Sequence, residues 1–500
     1  MVNKSTRRDF IKTSAAITGI GFWVAAGTAP QVRASANERL AFAGIGVGGK
    51  GGGDIANAAR FADVVAVCDV DRRRLDHSLQ IFPKAKGYTD YRKLLEENEK
   101  SIDAATISTA DHVHAPAGLM AMRMKKHVYV QKPLARTMYE CRLMGKIAKE
   151  MGVCTQMGNQ GSASDGLRRA AAELKAGAIG DVKEIHIWTD RPIKWWPQGP
   201  DLIRTMKDYE EHVRKENPDE ADKLIAGMKD RIENELKHID WDSWLGPAKV
   251  REFFPGAPPN SQLWHPNAWR GWWEYGTGAL GDIACHALNV YMKALDLSTP
   301  KSVVAMTTGH DFDAFPKSSR IEFEYADTPQ RKGFKFVWYD GGWTPDPELL
   351  ESLGFDYSDA NLMDRTLVIG TEGIWGHRRH DVKQGLTLPE IRYAPKYPEA
   401  DGSISERQDD DPRNMFELIT AIKENKPELC FSNFPSQAGP LTEAMLLGNL
   451  AVWTASKPNE WGEKVLWDSK NMKITNLADL KTPGVADLIK PKYREGYVLE

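Results

Sequence analysis

Leu40-Ala41-Phe42-Ala43-Gly44-Ile45-Gly46-Val47-Gly48-Gly49-Lys50-Gly51 is the stretch that decides the fold. Its first six residues read as a buried strand. That strand runs directly into Gly46 to Gly51, which matches G-x-G-x-x-G. A second apolar run, Val64-Val65-Ala66-Val67-Cys68, ends in Asp69, at about the 20-residue spacing of a dinucleotide-binding βαβ unit. In such a unit the first glycine permits the tight turn and the second lets backbone approach a pyrophosphate. The third lets the helix pack on the sheet, with its N-terminus facing the phosphate charge. Gly44, Gly46 and Gly49 fit the same pattern, but Gly46, Gly48 and Gly51 leave a full strand before the turn. The expected cofactor is NAD, held by Gly46, Val47, Gly48, Gly49 and Gly51, with Asp69 on the ribose 2′-hydroxyl. Arg72, Arg73 and Arg74 follow closely and leave NADP open, although a solvated helix face is the preferred reading of them.

Working outward, residues 37–155 alternate short apolar strands with helical patterns, as a doubly wound sheet requires. Residues 103–109 read as a third strand, with His112 and His114 just beyond its C-terminal end, where ligands of open α/β sheets gather. Val128-Tyr129-Val130 is the next strand and is followed by Gln131-Lys132-Pro133. After residue 155 the pattern changes. Strands are expected at 182–189, 302–308, 320–325, 334–339 and 366–369, with helices at 167–176, 414–423 and 441–456. The fold class is therefore α/β: a Rossmann domain over 37–155, then an α+β substrate domain over 156–455 with a large, mostly antiparallel open sheet. Residues 208–236 are charged and helical and read as a surface insertion, rich in i,i+4 charge pairs. Residues 401–411 read as an acidic linker, and 456–500 as a C-terminal extension.

A chain of 500 residues predicts more than one domain. A net charge of −3 gives no electrostatic argument for nucleic acid or an anionic membrane; the basic runs at Arg72 to Arg74 and Arg378-Arg379 are short. The five cysteines show no metal spacing and read as small buried residues. At the N-terminus, Thr6-Arg7-Arg8-Asp9-Phe10-Ile11-Lys12, a weakly apolar run over 15–29 and Ala34-Ser35-Ala36 form a twin-arginine export signal over residues 1–36. The mature chain is expected to be periplasmic and soluble. Free nicotinamide dinucleotide is scarce there, so the cofactor is expected to be loaded before export and tightly bound. A trapped cofactor favours redox-neutral or substrate-recycled chemistry.

Two constellations carry chemistry. Lys132, at the sheet's C-terminal edge and before a proline whose peptide bond can be cis, is placed to hydrogen-bond a substrate hydroxyl and stabilise alkoxide charge. In Gly278-Ala279-Leu280-Gly281-Asp282-Ile283-Ala284-Cys285-His286, Asp282 and His286 share one helical face. The histidine suits a general base and the carboxylate supports it. No third ligand has zinc spacing, so no metal is expected. Trp264, Trp269, Trp272, Trp273 and Tyr275, with Arg270 among them, read as stacking platforms for a carbohydrate ring; Trp195 and Trp196 form another pair.

With these residues in view, the chain resembles the Gfo/Idh/MocA family, the group of glucose–fructose oxidoreductase and inositol 2-dehydrogenase. The resemblance covers nearly the whole mature chain: the glycine loop, Thr109 to His114, Val128 to Leu134, Asp282/His286, Trp338-Tyr339-Asp340-Gly341-Gly342-Trp343, and Gly439-Pro440-Leu441-Thr442-Glu443 to Gly448-Asn449. It implies NAD or NADP, hydride transfer at a sugar or cyclitol carbon, an open sheet that supports homo-oligomers, and cofactor contacts from Thr109, His112, His114, Gln131 and Lys132. The family's Glu-Lys-Pro maps onto Gln131-Lys132-Pro133, so its acid is missing here, and Ala110 stands where proline is frequent. The expected function is an NAD(P)-dependent oxidoreductase acting on a secondary alcohol of a sugar, glycoside or cyclitol. The alternatives are a glycoside hydrolase or lyase that recycles its NAD through a transient ketone, and a sugar-binding protein with a vestigial cofactor site.

Overall fold

A computed structural model describes residues 39–500, apart from 261, 298–299, 355–364, 377–379, 398–405, 498 and 500. The segment read as an export signal and the Arg378-Arg379 run lie outside the described residues. Strands β1 (Ala41–Ile45), β2 (Asp63–Cys68), β3 (Lys86–Tyr88), β4 (Ala104–Ile107), β5 (His127–Gln131) and β6 (Thr155–Gly158) form one sheet in the order β3-β2-β1-β4-β5-β6. Every pairing in it is parallel. This is the doubly wound dinucleotide-binding order, whose switch point lies between β1 and β4. β4 is buried throughout and β5 after its first residue, which is why their sequences are apolar runs rather than alternating ones. β6 carries the sheet three residues past the expected boundary at 155.

The second sheet has nine strands: β7 (Val182–Trp188), β8 (Pro300–Thr307), β9 (Ser319–Tyr325), β10 (Phe334–Tyr339), β11 (Arg365–Gly370), β12 (Ile374–Gly376), β13 (His380–Asp381), β14 (Val465–Asp468) and β15 (Lys473–Ile474). Only β7 and β10 pair in parallel. β14 joins β8, so residues 456–500 extend the sheet rather than trail from it, correcting the expected appendage.

Helix α1 (Lys50–Ala59) follows the glycine turn and α2 (Asp111–Arg123) follows β4. The charged segment is two helices, α3 (Met206–Glu216) and α4 (Ala221–Leu236), interrupted at Pro218, because proline cannot continue a helix. It is not a mere surface insertion. Tyr209, Val213, Ile225 and Met228 share a buried cluster with Trp244, Phe254, Trp264 and Trp272, and the segment ends by pairing Asp71 with Ile239. Helix α5 (Gly278–Ala287) opens the second domain's site. The expected acidic linker is partly helix: α6 begins at Glu406 and runs to Glu424. It sends Met415, Leu418 and Ile419 into the core formed by Phe42, Ile55 and Phe61. Helix α7 (Gly439–Thr454) is buried on nearly all sides and packs on β8, β9 and α5. It ties the second sheet to the site helix.

Candidate active site

The glycine turn has the geometry its sequence requires. Gly46 adopts φ +75, a region costly for any other residue. A Cβ on Gly51 would stand 1.8 Å from the Gly46 carbonyl oxygen, so helix and turn touch backbone to backbone. The helix N-cap, Gly49, supplies no side-chain cap, and no acid occupies the first turn. Gly51 N donates to the Gly48 carbonyl at 3.0 Å, and with no acid in its first turn the N-terminus of α1 offers an anion no competing negative charge, which fits a dinucleotide pyrophosphate. Asp69 differs from expectation. One carboxylate oxygen accepts from Val47 N and Gly48 N at 3.0 Å each, and the other from Asp71 N. The acid therefore holds the glycine loop rather than pointing outward, and burial raises its pKa. Arg73 pairs with Asp71 and Glu235. Arg74 lies across Gly48, where an added Cβ would stand 2.2 Å from its Nη1. Arg73 is exposed, as a solvated face requires, yet ion-paired, and Arg74 is half-buried against the glycine turn.

Beneath the turn, Lys50 Nζ donates to Asp54 at 2.5 Å and to Asp411 of α6 at 3.0 Å. Asp54 also accepts from Ser108 Oγ and Gln131 Nε2, both at 2.8 Å. Gln131 Oε1 accepts from the backbone N–H of Lys132 at 3.2 Å. The family's missing acid is thus replaced in space: a carboxylate stands beside position 131, but it belongs to Asp54.

The Lys132–Pro133 peptide is cis. The Lys132 ammonium crosses to α5, donating to both the backbone oxygen and Oδ1 of Asp282 at 2.7 Å. Arg270 Nε donates to the same Oδ1 at 2.9 Å, and Arg191 Nε stands 3.8 Å from Oδ2. Burial works against ionisation of Asp282, but Lys132 and Arg270 outweigh it and hold the carboxyl well below the usual range. His286, one turn on, has no hydrogen-bond partner among the described residues. Burial, then the charge of Lys132, push its pKa down to about 3, so near neutrality it is an uncharged imidazole. Lys132 and Asp282, from different domains, meet at 2.7 Å, and His286 lies one turn beyond Asp282 on α5.

Other expected site residues have protein partners. His112 donates to the Trp244 carbonyl. His114 sits between the carbonyls of Pro133 and Thr109. Both are buried, and burial pushes them down to about 3 and about 4. Their rings brace the strand-end loops. The aromatic platform is also corrected: Trp264, Trp272 and Tyr275 are fully buried and packed on one another, Trp273 stacks on Phe315, and Trp269 is buried beneath Arg270. Of that cluster only Arg270 reaches the site. An exposed indole beside the site is Trp195, 49% accessible, against which the Arg191 guanidinium lies at 3.6 Å.

Sequence reasoning missed three residues. Asp111 accepts from Thr277 Oγ1 at 2.7 Å across the domain boundary, its other oxygen has no partner, and burial pushes it up to about 7. It lay between two residues already singled out. Asp54 lies four residues after Lys50, a spacing that could have flagged it. Arg191 had no local signal. It is delivered by the end of β7 and fixed when Gly341 N donates to its carbonyl at 2.6 Å, which is the task of the Trp338 to Trp343 motif.

Residues 39–159 match the oxidoreductase family's NAD-binding Rossmann fold and residues 225–331 its C-terminal alpha/beta domain, both of the Gfo/Idh/MocA group. Inositol 2-dehydrogenase of Salmonella typhimurium is 28% identical over 134 residues, 26% of this chain and 39% of that protein. A glycosyl hydrolase family 109 protein of Shewanella pealeana is 37% identical over 108 residues, 19% of this chain and 23% of that protein. The chain thus spans about two fifths or less of the length of these curated relatives. In overall fold it is similar to an inositol dehydrogenase homologue from Azotobacter vinelandii crystallised with NAD+ (15% identity, TM-score 0.50, covering 85% of this chain and 97% of that one). It is likewise similar to GenD2 of gentamicin A biosynthesis in complex with NAD (16% identity, TM-score 0.50, covering 88% and 100%). With both domains matched, the parallel sheet in the dinucleotide-binding order and the lysine–proline site in place, the chain carries the Gfo/Idh/MocA oxidoreductase family's NAD-binding Rossmann domain over residues 39–159 and its C-terminal alpha/beta domain over residues 225–331.

Proposed function

We propose that this protein is an NAD(P)-dependent oxidoreductase that removes hydride from a secondary alcohol of a sugar, glycoside or cyclitol. One observation carries the reading: Lys132, at the carboxyl edge of the parallel sheet, meets Asp282 of the facing domain at 2.7 Å, on the helix face that also carries His286. The glycine turn and the N-terminus of α1 would hold the pyrophosphate of a nicotinamide dinucleotide, which when bound would supply the hydride acceptor. Two of the three ammonium N–H bonds of Lys132 are spent on Asp282. The third is available to a substrate oxygen and stabilises the alkoxide as charge develops. Neutral His286 accepts the hydroxyl proton. The imidazolium so formed is disfavoured by burial and by Lys132, so the proton must be passed on rather than stored. Asp282 does not titrate in this scheme; it aims Lys132 and Arg270.

A second reading keeps the same residues but returns the hydride within each turnover, cleaving a glycoside through a transient ketone. The likeness to the glycosyl hydrolase family 109 protein favours it, and so does the export signal read at Thr6 to Lys12, which implies a periplasmic protein whose cofactor arrives bound. Mass spectrometry of cofactor released from gently purified protein, with product analysis on a glycoside panel, tests both readings. Bound NAD and net cofactor reduction support the first. A cleaved glycoside without net redox change supports the second. Absence of any cofactor and of any turnover defeats both.

A further inference from the structure

Cations outnumber ionised carboxylates where the substrate would sit. Lys132, Arg270 and Arg191 converge on Asp282, and the second carboxylate, Asp190, is taken by Arg191 Nη1 at 2.8 Å. The third carboxyl, Asp111, is buried and bonded to Thr277. Partially desolvated charges need partners, and this set lacks one negative partner.

The donors left over point to where it belongs. Arg270 uses Nε on Asp282 and Nη1 on the Asn267 carbonyl, leaving Nη2 free. Arg191 uses Nη1 on Asp190. Its Nε is buried with no hydrogen-bond partner, and at 3.8 Å Asp282 is beyond hydrogen-bonding range. The Arg191 guanidinium carbon lies 3.6 Å over the Trp195 ring and that of Arg270 4.3 Å over the Trp269 ring. The remaining N–H donors belong to a planar fork, the geometry that recognises a planar or tetrahedral oxyanion. Trp195 is half-exposed beside that fork, so an apolar sugar face has an indole to lie on.

We propose that the substrate carries an anionic substituent on its ring, a carboxylate or a sulfate ester, held between Arg191 and Arg270. This deepens the proposed function and rests on it. The test uses full-length holoprotein and matched methyl glycosides: glucoside, glucuronide and glucose 6-sulfate, with the corresponding galacto series. Dissociation constants are measured by calorimetry at about 0.02 and 0.3 M NaCl, and cofactor reduction by absorbance. The acidic member of a pair should bind about 10-fold more tightly than the neutral one, and the advantage should shrink at the higher salt. Arg191→Gln should bring the acid-to-neutral ratio close to one, and Arg191→Lys should restore part of it. The carboxylate and sulfate arms decide which oxyanion is meant. Neutral and acidic glycosides bound equally, or a preference unchanged in Arg191→Gln, would overturn the inference. If those neutral glycosides nevertheless reduced the cofactor, the oxidoreductase reading would stand alone. No binding and no reduction by any member would remove both.

Discussion

Removing the Asp282 carboxylate should cost more than removing the lysine it holds. In Asp282→Asn, Lys132 at 2.7 Å and Arg270 at 2.9 Å lose their shared anion while remaining crowded with Arg191. The gross Lys132–Asp282 attraction is about 6 kcal/mol at an effective dielectric near 20, and breaking a buried pair from one side typically costs about 3–5 kcal/mol net. In Lys132→Met, by contrast, Asp282 keeps Arg270, and the loss should be about 1–2 kcal/mol. The double variant strands one cation fewer, so it should recover about 2 kcal/mol relative to the sum of the singles. Urea unfolding followed by tryptophan fluorescence gives all four corners of the cycle. The pH dependence supplies a sign. The folded carboxyl is held below its ordinary value, so its contribution is present above about pH 4 and fades as the pH falls further. The deficit of Asp282→Asn should therefore narrow below about pH 4. A loss under about 1 kcal/mol for Asp282→Asn, or strict additivity in the double variant, would refute the argument.

Gly51→Ala forces a methyl to 1.8 Å from the Gly46 carbonyl. It should destabilise the fold by about 1–3 kcal/mol and strip the cofactor on dialysis, which the absorbance of the purified variant reports. Gln131→Glu places a second carboxylate 2.8 Å from Asp54 and should destabilise by about 1–3 kcal/mol. Adding Asp54→Asn should restore most of that loss, since it merely exchanges the acid between the two positions. Asp111 has a raised folded pKa of about 7, so wild-type stability should decline as the pH rises from about 4 to 7 by at most about 4 kcal/mol from this group. In Asp111→Asn that component should vanish, as denaturation at about pH 5 and pH 8 would show.

Much of this molecule was legible in the chain. The glycine turn, the parallel strands, the placing of Lys132 at a strand's end and the shared helical face of Asp282 and His286 follow from local spacing and from the rule that ligands gather at strand C-termini. The aromatic cluster misled because a dense run of tryptophans has the same composition whether it stacks on a sugar or on itself. The packing of α3 and α4 into the cluster that buries Trp264 and Trp272 is a non-local contact without a signature in the tryptophan run itself. Asp69 was found at the expected place, but a motif does not reveal that loop N–H groups already occupy its oxygens. Arg191 was invisible because its position is set by the pairing of β7 with β10, a contact without local signature. Gln131 looked like a loss of charge until the fold brought Asp54 beside it.

Hydride transfer at a carbon facing Lys132 and His286 is the central claim, and isotope transfer tests it most directly. A substrate found in the glycoside panel is prepared with deuterium at each secondary carbinol carbon in turn. It is then given to holoprotein in a single turnover, and the released dinucleotide is weighed by mass spectrometry. One labelled position should deliver its deuterium to the nicotinamide ring in wild type, and the transfer should be lost in Lys132→Met. Deuterium that stays in the sugar or exchanges into water from every position would contradict the account.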